Sequence, residues 1–193
     1  MTKKIYQWMV EAASGRNAMW ALAVVAFVES SFFPIPPDIM LIPMIIATPK
    51  RAWKIALVAT VASVIGGYFG YLIGFLGYDL IAKPLLNFYG YLEKFEKFRQ
   101  YYNDYGAWIV LGAGITPFPY KVITIASGVV GMNIWIFGLA SVVARGLRFF
   151  IIAGLLRFFG EPIKKTIEKH FGLLSIIFFI LLIGGFLLIK FIN

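Results

Sequence analysis

Apolar runs alternate with short polar breaks along the chain, and the runs come in two lengths. Residues 18–33 are apolar apart from Glu29 and two serines, and 39–48 form a shorter run. At about 1.5 Å per residue these helices would span roughly 24 Å and roughly 15 Å, short of a hydrocarbon core of about 30 Å. Between them stand Pro34, Pro36 and Pro37, and a proline disfavours helix in the residue before it. A re-entrant hairpin over 18–48, entering and leaving on one side, fits better than two independent spans. The run over 55–77 is long enough to cross. Over 79–104 charges appear, while Ile81, Leu85, Phe88, Leu92, Phe95 and Tyr102 recur at helical spacing. That pattern predicts an amphipathic interfacial connector, bent near Gly90. Short runs then flank Pro117 and Pro119 and predict a second hairpin over 107–132. Transmembrane helices are expected over 134–159 and 171–192, with a basic loop holding His170 between them.

The two hairpins repeat each other. Pro34-Ile-Pro36-Pro-Asp38-Ile39 and Pro117-Phe-Pro119-Tyr-Lys121-Val122 both read Pro-x-Pro-x-charged-aliphatic. Each is flanked by short apolar arms and followed by one long span. The fold class expected is therefore an all-α integral membrane protein in a single domain over 1–193. It would be an inverted repeat of two opposed hairpins, each followed by a transmembrane helix, plus the connector and a C-terminal transmembrane helix. Broken helices that meet near the midplane are a recurring transporter plan.

Composition supports this reading. The chain is 61% hydrophobic over 193 residues, against about 45–50% apolar for soluble domains, and its mean hydropathy is +0.84. It carries 18 Lys+Arg against 9 Asp+Glu, net +9. Lys3, Lys4, Arg16, Lys50, Arg51, Lys54, Lys164, Lys165 and Lys169 all fall on one face of the expected topology. The connector, which sums to zero, falls on the other. The positive-inside rule then puts the N-terminus in the cytoplasm and the C-terminus outside. The start reads as an uncleaved signal-anchor-like segment. Basic charge here points to anionic lipid headgroups and away from nucleic acid, since no soluble basic domain is present to carry it. There is no cysteine and one histidine, so disulfides and thiolate metal sites are excluded. An intramembrane hydrolase would lack a nucleophile–base pair or clustered carboxylates. Neither an enzyme, a metal nor a cofactor is expected.

The candidate chemistry is a set of charges at membrane depth: Glu29, Asp38, Lys121, Arg145 and Arg148. Each is costly in lipid, so they should face the interior and find partners. Arg145 and Arg148 share a helix face. Asp38 and Lys121 are expected to approach across the pseudo-two-fold. Two acids and three bases leave one positive charge, which a phosphate headgroup would balance. Glu29 is a candidate proton carrier. Alternatively, the charges lock the hairpins together. Ser30, Ser31, Thr116, Thr124 and Ser127 are expected to satisfy backbone groups freed at the breaks. Gly66, Gly70 and Gly74 recur every four residues and offer a close-packing face, either within the chain or for a homodimer.

These residues resemble the DedA family, also called SNARE-associated or VTT-domain proteins. The resemblance lies in Glu29-x4-Pro34-x-Pro36-x-Asp38, in Thr116-Pro117-x-Pro119-Tyr120-Lys121-Val-x-Thr124-x-Ala126-x-Gly128, and in Arg145-Gly-x-Arg148-Phe-Phe. The second and third segments have the form of the YqaA-like branch. The resemblance implies two opposed re-entrant hairpins, location in the bacterial inner membrane, and lipid movement between leaflets. It also implies that the acids at positions 29 and 38 are required. Family arginines around the second proline motif are replaced here by Lys121, and Arg145 and Arg148 supply guanidinium groups from the next helix. The expected function is a multi-pass flippase or scramblase for phospholipid or polyprenyl phosphate, with proton coupling through Glu29 or Asp38. The alternatives are a proton-driven small-solute or ion transporter, and an assembly factor acting through the glycine face.

Overall fold

A computed structural model describes Gly15 and residues 17–33, 36–116 and 118–160. The expected terminal span over 171–192, the basic loop before it, and hinge residues Pro34 and Pro117 lie outside the described residues. Among those described, all regular structure is helical.

The first unit is α1 (Ala18–Ser31), a break, α2 (Asp38–Ala47), a 3-10 turn over Pro49–Arg51, and α3 (Ala52–Gly77). Pro36 precedes α2 and Pro37 is its N-cap, where a proline's missing N–H costs nothing. Past Gly77 the chain makes a π turn over Tyr78–Ala82 and continues as α4 (Lys83–Phe88). Pro84 cannot donate to the carbonyl a turn earlier, and the wider π turn accommodates that loss. The chain reverses at Gly90, whose φ of 68° is a conformation glycine adopts without steric cost. Tyr91 N–H bonds back to Leu86 C=O at 2.9 Å.

The second unit is α5 (Leu92–Ile115), a break, α6 (Tyr120–Val129) and α7 (Ile134–Gly160). Pro119 is the N-cap of α6. Asn133 starts α7 by accepting from the N–H groups of Trp135 and Ile136, the preferred chemistry of a helix N-terminus. Each unit is therefore helix, break, short helix, long helix.

One expected boundary is absent. The sequence pattern separates a connector over 79–104 from a hairpin starting at 107. Instead, the connector's first part extends α3, and its second part is the start of α5. Gly106 lies between those two expected segments. It is buried, and a Cβ there would lie 3.0 Å from Met132 Sδ. A close packing contact keeps the helix running where propensity alone opposes glycine by about 1 kcal/mol.

α1 and α6 both lie along α3, and glycine makes this possible. A Cβ on Gly66 would overlap the Phe27 backbone, one on Gly70 the Thr124 hydroxyl, and one on Gly74 the Ile125 carbonyl. Gly128 of α6 is pressed equally against Tyr71 of α3. The glycine face is thus filled from within the chain, as small-xxx-small faces allow. A homodimer would have to use another face.

Polarity is inverted relative to a water-soluble domain. Trp20, Leu80, Phe88, Trp108, Trp135, Leu139 and Phe158 are strongly exposed, while Ser30, Ser31, Ser63, Thr124, Ser127, Ser141 and Arg145 are buried. An apolar surface of this extent calls for an apolar surrounding. Two stretches, Pro49–Phe88 and Ile134–Gly160, are long and apolar enough to cross a membrane. One apolar cluster joins α1 and α2 to the start of α3 and the end of α7. Another joins α5 and α6 to the end of α3 and the start of α7.

Replacing Gly74 by Leu should wedge α3 from α6 and lower stability by about 1–3 kcal/mol. Gly77→Leu is the control, because a Cβ there meets nothing. Thermal denaturation in detergent reads the difference.

Candidate functional site

Arg145 lies eleven residues into α7, roughly 16 Å from the start of that helix. Its side chain is wholly buried. Burying a guanidinium requires every available compensation, and the surroundings supply most of it. Arg145 Nη2 donates to Glu29 Oε2 at 2.8 Å, and Nε donates to Ser63 Oγ at 2.6 Å. Ser30 donates to Glu29 at 3.1 Å and lies 2.6 Å from Ser63. Since Ser30 gives its proton to Glu29, Ser63 donates to Ser30. The result is a closed ring from Arg145 through Ser63 and Ser30 to Glu29 and back. The guanidinium also lies 4.8 Å from the centre of the Tyr120 ring and 4.7 Å from that of Phe149, a favourable placement for a cation. Tyr120 is itself fixed by donating its hydroxyl to Ser141.

Arg148, three residues on, does something different. Its Nη2 pairs with Asp38 Oδ2 at 2.6 Å, and its Nη1 donates to the carbonyl of Thr116 at 3.0 Å. Asp38 opens α2 after the first break, and Thr116 ends α5 at the second. One planar fork thus ties the two breaks together. Fork geometry is what arginine offers and lysine does not.

The expected pairing of Asp38 with Lys121 is corrected here. Asp38 takes Arg148, and no carboxylate among the described residues lies within ion-pair distance of Lys121. Lys121 is in the first turn of α6, where the helix dipole disfavours a cation. The long side chain of Arg148, reaching from a neighbouring helix, meets Asp38 in its place. Glu29, Asp38, Arg145 and Arg148 come together and sum to zero charge. Lys121 is left as the extra positive charge.

The two pairs differ in exposure. Side-chain exposure is 0% and 13% for Arg145 and Glu29, but 16% and 22% for Arg148 and Asp38. Two buried atoms, Arg145 Nη1 and Asp38 Oδ1, have no hydrogen-bond partner among the described residues. One is a donor and the other an acceptor. No cluster of three or more metal-ligating side chains occurs among the described residues.

The hydroxyl residues near the breaks divide by role. Ser31 donates to Phe27 C=O at 2.6 Å and to Gly66 C=O at 3.0 Å. Thr124 donates to Ser30 C=O at 3.0 Å and to Lys121 C=O at 2.9 Å. Thr116 donates to Ala113 C=O at 3.1 Å. These three satisfy backbone carbonyls. Ser30 instead belongs to the charged ring, and Ser127 meets the Tyr102 hydroxyl at 3.0 Å. Sequence reasoning missed Ser63, Tyr120, Ser141 and Phe149. A serine at the centre of an apolar span was the signal for Ser63.

The chain matches the VTT domain over residues 35–158. That range holds Asp38, Lys121, Arg145 and Arg148, while Glu29 lies just ahead of it. An uncharacterized protein of Haemophilus influenzae is 35% identical over 186 residues, covering 96% of each chain. An uncharacterized protein of Histophilus somni is also 35% identical over 186 residues, covering 96% of this chain and 97% of that one. No solved structure matches. The domain match and the two near-full-length relatives show that this chain belongs to the VTT-domain (DedA) family of membrane proteins, whose role is transporter-like.

Proposed function

We propose that the protein moves lipid between the leaflets of the bacterial inner membrane, as a flippase or scramblase for phospholipid or polyprenyl phosphate. The observation that carries this reading is the Asp38–Arg148 pair, which is partly exposed and lies where the two helix breaks meet. A phosphate headgroup can exchange with Asp38 for the Arg148 fork, because planar donors engage phosphate bidentately. Asp38 Oδ1, without a partner among the described residues, adds an acceptor for a headgroup hydroxyl or amine, and Lys121 a balancing charge. The tails meanwhile stay against the apolar exterior. In this reading the two helix pairs are re-entrant hairpins from opposite leaflets, and Glu29 or Asp38 is the group through which protons couple.

The difference in burial supports different roles for the two pairs. The Arg145–Glu29 ring is the lock that holds the interior. The Arg148–Asp38 pair is the exchangeable site.

In liposomes carrying fluorescent phospholipid or a polyprenyl phosphate, the wild-type chain should speed lipid translocation. Asp38→Asn and Arg148→Ala should slow it by roughly tenfold or more, the value of a charge-assisted hydrogen bond of about 1.5–3 kcal/mol. No lipid movement by folded wild-type protein would overturn the lipid reading and favour a proton-driven small-solute transporter.

Arg145→Ala should act mainly on stability, lowering it by about 3–5 kcal/mol because Glu29 is left buried and unpaired. Chemical denaturation in detergent compares it with Arg148→Ala, which should cost less.

The chain has no cysteine, so single-cysteine labelling reads topology directly. Asn103 is exposed on α5. In intact cells Asn103→Cys should react with a membrane-impermeant maleimide from outside, and reaction only from the cytoplasm would overturn the proposed orientation.

A further inference from the structure

The end of the molecule where α3 begins and α7 ends carries four cations, Lys50, Arg51, Lys54 and Arg157. We propose that this rim holds an anionic phospholipid headgroup of the adjoining leaflet as a resident lipid, separate from any transported cargo.

The site is built around Trp53, the second residue of α3, which is about two-fifths exposed. Its ring stacks on Phe150 of α7, with centroids 5.9 Å apart and planes at 15°. Gly154 makes room, since a Cβ there would come within 3.3 Å of the indole. The Arg157 guanidinium lies 5.6 Å from the centre of the same indole. Arg157 is therefore held in place before any ligand arrives, and a stacked guanidinium still has its edge free to donate. Lys50 and Arg51 are exposed on the 3-10 turn, and Lys54 is exposed one residue beyond Trp53. Cations from two helices thus gather at one end of the bundle, next to an amphipathic ring suited to the headgroup level.

No described carboxylate is placed to neutralise them. Glu29 and Asp38 are taken by Arg145 and Arg148. Asp79, Glu93, Glu96 and Asp104 belong to the segment beyond the opposite end of α3. Charge complementarity therefore selects an anion. The apolar side chains exposed beside the rim, Leu57 on α3 and Ile151, Leu155 and Phe158 on α7, select one attached to hydrocarbon. Clustered basic residues beside a membrane helix attract anionic lipid, and the attraction falls with salt.

The test is direct counting of bound lipid. The full-length chain in neutral detergent is titrated with phosphatidylglycerol or with phosphatidylcholine of the same acyl chains, and retained lipid is counted by native mass spectrometry. Wild type should retain phosphatidylglycerol in preference. Replacing Lys50, Arg51, Lys54 and Arg157 together by Gln should weaken that retention by roughly tenfold or more. If that variant does not fold, Arg157→Gln and Arg157→Lys serve instead, with Gln losing affinity and Lys keeping most of it. Equal retention of the two lipids by wild type, or undiminished retention by the Gln variants, would overturn the site. No transport step enters the readout, so its outcome and that of the translocation assay stand independently.

Discussion

The interior depends on Arg148, which bonds to a residue at each of the two helix breaks. A break within an apolar environment frees backbone carbonyls and N–H groups that water cannot reach. Thr116 C=O is one of these, and Arg148 Nη1 satisfies it while Nη2 holds Asp38 across the interface between the two units. Without that fork the two breaks have no charged link to each other. The glycine contacts of α3 bring α1 and α6 close enough for it to form. Gly70 sits against both Thr124 of α6 and the Ser30 carbonyl of α1, so the two short arms meet at the same level of α3.

Charge is divided between the repeats in a way that ties the halves together. Both interior acids come from the first unit, and both paired bases come from α7 of the second. Position 121 carries the remaining cation where the first unit has Asp38. Neither half can neutralise itself. Burying the acids requires the second unit to be in place, and burying the arginines requires the first. The two apolar clusters also join the units, but apolar contact is tolerant of register, and the ion pairs fix it.

Much of this was legible in the sequence because the relevant signals are costly and therefore rare. A charge within an apolar run marks an interior position, and Glu29, Asp38, Arg145 and Arg148 do come together. A glycine every fourth residue marks a close-packing face, and Gly66, Gly70 and Gly74 form one. What could not be read was the choice among partners. Asp38 had Lys121 at the repeat-related position and Arg148 on another helix, and only the rotation of α7 about its axis decides between them. The expected connector ended where its charges end, whereas the burial of Gly106 against Met132, which keeps α5 continuous there, is tertiary. Tyr102 looked like part of an interfacial stripe, yet it is buried and bonded to Ser127. Arg99, which looked like one more connector charge, donates to the Val130 carbonyl just past the end of α6 at 2.8 Å.

The two ion pairs, one turn apart on α7, are better understood by their surroundings than by their common chemistry. Arg145 sits in a closed ring, between two aromatic faces, and opposite a carboxylate held by a serine. To leave, it would have to break several bonds at once in a medium of low dielectric, where each is strong. Arg148 is bound by one carboxylate and one carbonyl and keeps some exposure. In the proposed reading its bonds exchange for those of another anion at a lower cost than those of Arg145 would, because fewer bonds break and both members of the pair keep some exposure. A transporter needs both kinds of group: one that keeps the halves assembled while the other lets go. In the proposed reading, placing them three residues apart on the same helix face lets the fixed pair position the exchangeable one, and a helix rotation that freed Arg148 would be resisted by the ring around Arg145.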